Sequence, residues 1–235
     1  MSAQQPSVAQ NAGAGKGSLR RLRWLLWSVA LAVGIGGGAL FTLLHRPSAP
    51  DAAPAAQAAA QAIVTWPAGA KRAPDFRLAD QAGKPVSIAS FRGRPVIVTF
   101  IDPLCRNLCP LEAKVLQSVE ARLPAAERPA ILAVSVNQWG NARHILLQDL
   151  TKWKLRRNWY WAVGAPKALK RVWAAYKIAV QDTPKTITGI TVHQISHTEA
   201  SFVVDPHGYQ RAVYLYPFRA ADVARTVRRL AGAQG

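Results

Sequence analysis

Residues 94–111 read RPVIVTFIDPLCRNLCPL, and this stretch decides the fold. Val96 to Ile101 is an unbroken apolar run rich in β-branched residues, the pattern of a strand buried on both faces of a parallel or mixed sheet. Asp102 and Pro103 end it, because proline cannot continue a ladder. The loop that follows holds Cys105 and Cys109, the only two cysteines of the chain. Pro110 disfavours a helical residue before it and suits the first helical position. This predicts Cys109 as N-cap, a helix from Pro110 to about Arg122, and Glu112 as a capping-box acid. Both thiols then lie between a central strand and a helix N-terminus, where free amides and the helix dipole favour a thiolate and Arg106 adds positive charge. Such a pair is reactive or metal-binding. A short structural disulfide, or two inert core thiols, is the alternative that the spacing leaves open.

Working outward, 235 residues, half of them hydrophobic, support one domain with a full core plus tails. The formal net charge of +18 is not confined to the N-terminus, since from Arg72 onward 24 Lys and Arg face 11 Asp and Glu. That balance predicts an acidic partner surface or an anionic membrane, or simply a solvated basic surface. The basic residues are scattered over several elements and no nucleic-acid-binding motif accompanies them, so a nucleic-acid partner is not expected. Two cysteines are too few for a disulfide scaffold and lack the paired spacings of a structural zinc site.

Residues 1–23 form a polar, small-residue tail ending in Lys16, Arg20, Arg21 and Arg23, expected to be disordered and cytoplasmic. Trp24 to Leu44 follows, 21 residues without a charge, which is long enough to span a bilayer. Only Arg46 flanks its far side, so the basic cluster should stay inside and the remainder outside. A cleaved signal peptide is the alternative, although His45 and Arg46 stand where small residues would mark cleavage. No cysteine follows the apolar segment closely, so a lipoprotein anchor is not expected. Residues 45–71, rich in alanine and proline, read as a tether. The domain is expected over 72–235. It opens with a hairpin through Leu78 and Val86, then the central strand and cysteine helix, then a strand at Ala130 to Val136. Further elements are expected as a helix at Ala142 to Trp153, a strand at Trp159 to Val163, a helix at Pro166 to Tyr176 and a weak strand at Ile187 to Val192. A hairpin about Asp205-Pro206-His207-Gly208 and a helix at Ala220 to Leu230 close the chain.

This order is that of a mixed α/β, thioredoxin-like (redoxin) fold with a central mixed sheet, preceded by one N-terminal transmembrane helix. Ala73-Pro74-Asp75-Phe76, Ser90-Phe91-Arg92-Gly93-Arg94-Pro95 and Phe202-Val203-Val204-Asp205-Pro206-His207-Gly208 resemble the redoxin superfamily. Within it, Cys105-Arg106-Asn107-Leu108-Cys109-Pro110, with three residues between the cysteines and proline after the second, is similar to the Sco/SenC group of copper proteins. Membrane-tethered thioredoxin-like reductases carry a proline just before the strand that ends in the Val-Asp turn, whereas here His197-Thr198-Glu199-Ala200-Ser201 has none. The resemblance implies a third ligand, a histidine eight residues before the aspartate of that turn, which falls on His197. It implies copper held by Cys105, Cys109 and His197. It also implies delivery to the binuclear copper site of cytochrome c oxidase subunit II, or to another extracytoplasmic copper or thiol protein. The chain departs from the group where Arg106 and Asn107 replace a proline and an acidic residue, and where Asn137-Gln138 replaces Asp-Pro.

The donor set carries the same chemistry without the family. Two thiolates and an imidazole, open on one side, suit a soft three-coordinate ion such as Cu(I), while zinc would want a fourth ligand. His193 is a candidate for orienting the site or an alternative ligand. His45, His144 and His207 read as surface residues, and Trp139, Trp153, Trp159, Trp161 and Trp173 as core. Three functions share the cysteines: copper delivery, thiol-disulfide exchange with Cys105 as nucleophile and Cys109 as resolving thiol or the reverse, and sensing.

Overall fold

A computed structural model describes residues 62–232. All belong to the C-terminal of two compact units, which divide at Ala52 and Ala53. The expected cytoplasmic tail (1–23), transmembrane anchor (24–44) and most of the tether lie outside the described residues. Among the described residues no helix is long and apolar enough to cross a membrane.

The central strand forms as its composition dictates. Val96–Ile101 (β4) is buried at every position because both faces are covered. Val96, Val98 and Phe100 pack with Leu169, Val172 and Tyr176 on one side, and Ile97 and Ile101 with Leu116, Val223 and Val227 on the other. Parallel to it run Ala130–Ser135 (β5) and, beyond that, Trp159–Ala162 (β6). On the other flank Ala200–Val204 (β9) is antiparallel to β4, Gln210–Leu215 (β10) to β9, and Val64–Thr65 (β1) to β10. The mixed sheet therefore has the order β1-β10-β9-β4-β5-β6. β1 lies within the segment read as tether, so the sheet begins before Arg72. Leu78–Ala79 (β2) and Pro85–Val86 (β3) form the expected opening hairpin.

Four helices cover the sheet: Leu108–Ala121 (α1), Arg143–Lys152 (α2), Pro166–Ala175 (α3) and Ala220–Gly232 (α4). The start of α1 corrects the sequence expectation. Asn107, not Cys109, is the N-cap, its Oδ1 accepting the Leu108 N–H at 2.8 Å. Asn is a far better cap than Cys, and Pro110 is tolerated one turn in because the first four helical N–H groups have no intrahelical partner. Glu112 is consequently not a capping acid but faces inward, fully buried.

A second correction concerns Ile187 to Val192. This is not one strand but the end of a hairpin whose arms, Val180–Ile187 (β7) and Ile190–His197 (β8), are paired along their whole length. Thr188 and Gly189 both take positive φ, 49° and 80°. That is the conformation of a two-residue turn whose twist matches the flanking strands. Polar, exposed arms hide this hairpin from a search for apolar runs. It leads through Thr198 and Glu199 directly into β9, which places its last residue, His197, beside the sheet centre.

Candidate metal centre

The cysteine loop is fixed by local hydrogen bonds. Asp102 Oδ1 accepts the Leu104 N–H at 2.7 Å, and the Cys105 N–H donates to the Asp102 carbonyl at 3.1 Å. These bonds reverse the chain at the end of β4 and bring Cys105 back over the start of α1. Cys109 sits in the first turn of α1 and is 2% exposed, whereas Cys105 is partly open to solvent. Both are free thiols.

His197 arrives from the other side. Its Nε2 lies 4.0 Å from Cys109 Sγ, and its Nδ1 is 3.2 Å from the Thr198 carbonyl. A carbonyl partner requires a proton on Nδ1, so in the neutral ring Nε2 is the nitrogen with the free lone pair, and it is the one beside the sulfur. Metal bonds of about 2.3 Å to sulfur and about 2.0 Å to imidazole put the two donors roughly 3.7 Å apart around a trigonal ion and about 4.3 Å apart around a linear one. The observed 4.0 Å lies between these limits. The structure thus sets His197 beside Cys109, 88 positions away in sequence, and Cys109 beside Cys105, while among the described residues no three His, Cys, Asp or Glu side chains already form a closed set of metal ligands.

The two thiols are electrostatically unequal. A hydrogen bond from the Cys109 thiol, together with the backbone amides of Cys109, Asn107 and Leu108, lowers the Cys105 pKa to about 5 against the cost of its burial. The same contact, then burial and the neighbouring Cys105 charge, raise the Cys109 pKa strongly. Cys105 is therefore the thiol that ionises first, and Cys109 the one that keeps its proton. As a thiol, Cys105 donates to Asn107 Oδ1 at 2.9 Å; its sulfur also accepts the Cys109 N–H at 3.4 Å.

Arg106 does not play the part its position in the sequence implied. Its guanidinium turns back to the carbonyls of Pro103 and Cys105, at 2.8 and 3.0 Å, and to buried Asp149 at 3.5 Å. It fastens the loop to α2 instead of polarising a thiol. His193 is likewise placed away from the donors: it pairs with Asp182 at 2.9 Å and stacks on Trp139 with ring centroids 3.5 Å apart. Trp139, expected in the core, is 41% exposed and serves as the seat for the hairpin. Trp159 and Trp161 are core as expected.

Sequence reasoning missed Glu112 and Asp102. Glu112 Oε1 accepts from Thr99 Oγ1 at 2.7 Å and from Ser201 Oγ at 3.0 Å, while Oε2 has no partner; burial raises its pKa to about 7. Burial also raises the pKa of Asp102 and of Glu199, although His197 opposes it in both. The signal for Glu112 was its spacing: with Cys109, Ala113 and Leu116 it shares the inward stripe of an amphipathic helix.

A groove of about 1220 Å³ opens over these residues, lined by Asp102, Cys105, Cys109, His197 and Glu199 and walled by apolar side chains including Leu104, Leu108 and Leu215.

A mixed sheet of this order, flanked by helices and with two free thiols and an imidazole over the end of its central strand, is the architecture of a thioredoxin-like α/β protein. The SCO1/SenC family profile matches residues 66–232, and the chain belongs to that family. Among solved structures it resembles ScoI from Bradyrhizobium japonicum with copper bound, at 19% identity and TM-score 0.56, covering 68% of this chain and 99% of that one. It also resembles yeast Sco1 with copper bound, at 15% identity and TM-score 0.60, covering 69% and 90%. A third similar structure is BsSco, described through a disulfide switch and as a member of the Sco family of cytochrome c oxidase assembly proteins. It matches at 20% identity and TM-score 0.57, covering 73% and 98%. At these identities the likeness is one of fold. No significant match is found among curated proteins.

Proposed function

We infer that this protein carries Cu(I) between Cys105, Cys109 and His197 and hands it to the binuclear copper site of cytochrome c oxidase subunit II, or to another extracytoplasmic copper or thiol protein. The observation that carries this reading is the aim of His197 Nε2 at Cys109 Sγ across 4.0 Å, a donor that thiol exchange alone does not require. Two thiolates select a soft ion over hard cations. The cation replaces the second thiol proton, which burial and Cys105 otherwise hold on Cys109. The open groove leaves one side of the ion accessible, so an incoming ligand can bind before an outgoing one leaves. The copper-bound state of the similar ScoI and yeast Sco1 structures supports the reading.

A second reading is favoured by the asymmetry of the thiols. Cys105, accessible and with a lowered pKa, is suited to attack a disulfide of a partner. The partner's leaving sulfur would take a proton. Cys109 would then displace the partner from the mixed disulfide, which leaves a Cys105 to Cys109 disulfide and a reduced partner dithiol. That product cannot bind copper, because metal and disulfide require the same sulfurs.

Titration with Cu(I) against a competing chelator, alongside a thiol-exchange assay, separates the two. Under the copper reading the wild type binds one equivalent, His197→Ala loses at least about tenfold in affinity, and the Cys105→Ser, Cys109→Ser double variant loses nearly all. Full affinity in His197→Ala would remove His197 from the ligand set, and a wild type that binds no Cu(I) while exchange proceeds would leave only the oxidoreductase.

The site is placed outside the cytoplasmic membrane on an uncleaved anchor, because Lys16, Arg20, Arg21 and Arg23 precede the apolar run and Arg46 alone follows it. Protease added to intact protoplasts should release the domain. A protected domain, or a mature chain lacking residues 1–44, contradicts the placement.

A further inference from the structure

The hairpin β7–β8 presents two edges of different character. Within an antiparallel pair, alternate residues turn their N–H and C=O toward the partner strand and the others turn them outward. The phase is fixed here by the Thr198 N–H, which donates to the Ala179 carbonyl at 3.0 Å. Counting along the register, Ser196, Gln194 and Val192 bond across the hairpin. His197, Ile195, His193 and Thr191 point their backbone groups away from β7. On β7 the outward set includes Pro184, opposite His193. Its missing N–H costs the hairpin nothing but blunts that edge against further pairing.

The edge of β8 carries no such block, and its backbone makes no hydrogen bond to any described residue outside the hairpin. It is also the edge that faces the metal centre. Every residue from Thr191 to Thr198 lines the groove, whereas β7 contributes only Lys185 and Ile187. A strand that met a groove through one face would contribute alternate residues; consecutive lining means that the groove meets its edge. Elsewhere in the groove's lining, Leu104, Leu108 and Leu215, at 37, 46 and 42% exposure, offer apolar surface to the side chains of whatever lies there.

Charge specifies the occupant further. From Arg72 onward none of the 24 Lys and Arg is buried, while six of the 11 carboxylates are. The surface is therefore more basic than the net charge conveys. Within the groove Lys185 stands toward the hairpin tip, and the two groove acids, Asp102 and Glu199, sit at the opposite end beside His197.

We propose that the free edge of β8 is a docking edge, on which an extended acidic segment of a partner protein pairs as an added strand and so delivers a thiol or imidazole ligand to the open side of the metal centre. This rests on the copper reading for its purpose but not for its geometry. Backbone pairing supplies affinity without demanding one side-chain sequence. Because β8 ends in His197, a strand in register along it is led to the ligands. A second copy of this chain is disfavoured as the occupant by its own basic surface.

The test uses the full metal-free chain and a synthetic nonapeptide of alternating valine and aspartate with one terminal cysteine. Three comparison peptides have serine for cysteine, lysine for aspartate, or N-methyl groups on the amides of one edge. Amide exchange of the segment 190–197 should slow on adding the acidic peptide with either cysteine or serine. It should not respond to the lysine or N-methylated peptides. Thr191→Pro removes an outward N–H at the same phase as Pro184 and should weaken peptide binding about tenfold, as expected for loss of one or two strand hydrogen bonds. Thr191→Val should bind as the wild type, and both variants should titrate with Cu(I) as the wild type does.

Unchanged exchange at 190–197, protection elsewhere, or full binding by the N-methylated peptide overturns the proposal. So does protection of 190–197 that grows with protein concentration alone, which would assign the edge to a second copy. Should Thr191→Pro unfold the hairpin, the N-methylated peptide on the wild type decides by itself. Protection of the edge without any Cu(I) binding would leave the docking edge standing and remove the copper reading; Cu(I) binding without protection would do the reverse.

Discussion

Glu112 places a carboxyl with no charged partner beneath the cysteine helix, held by Thr99 and Ser201 on one oxygen only. Its folded pKa, about 7, lies above the ordinary carboxylate value of 4.5. The folded state therefore prefers the protonated acid. The stability this contributes is complete below pH 4.5 and is lost as pH rises through about 7. The swing is on the order of 3 kcal/mol for a shift of this size. Glu112→Gln, neutral at every pH, should flatten denaturation free energy across this window; an undiminished pH slope in the variant would assign it to another group. In sequence the cysteine pair stood out by its place between a buried strand and a helix start, and His197 was reached only through the family resemblance; the structure sets its Nε2 4.0 Å from Cys109 Sγ. Glu112 and Arg106 were misread for a common reason. Each lies near the cysteines in sequence, but the direction of its side chain is set by helix phase in one case and by buried Asp149 in the other. Neither fact is local.

At the scale of elements, β4, β5, β6, α2, α3 and the closing hairpin followed from apolar runs, proline positions and turn residues. The hairpin β7–β8 did not, because its arms alternate weakly and mostly face solvent. What holds it to the domain is tertiary: His193, itself paired with Asp182 within the hairpin, stacks on Trp139, Val180 and Ile195 pack against the core, and the same strand carries His197 four residues on. Stacked aromatic pairs of this kind contribute about 0.5–1.5 kcal/mol beyond the area they cover. Trp139→Ala should therefore speed amide exchange of residues 180–197 and lower Cu(I) affinity up to about tenfold, without touching a donor atom. Equal exchange in variant and wild type would mean that β9 alone positions His197.

For the whole molecule, the mixed sheet explains why residues so far apart in sequence share one site. β4 feeds the cysteine loop at its C-terminal end, and β9, its antiparallel neighbour, starts at that same end. The segment entering β9, His197 to Glu199, must therefore pass the cysteines. Family membership over residues 66–232 and the likeness to solved Sco structures agree with this fold. X-ray absorption on the full chain loaded with one equivalent of Cu(I) tests the central claim most directly. The account predicts a first shell of two sulfurs and one imidazole nitrogen in the wild type, with the imidazole lost and both sulfurs kept in His197→Ala. A shell without sulfur, or an imidazole that persists in His197→Ala, would contradict it.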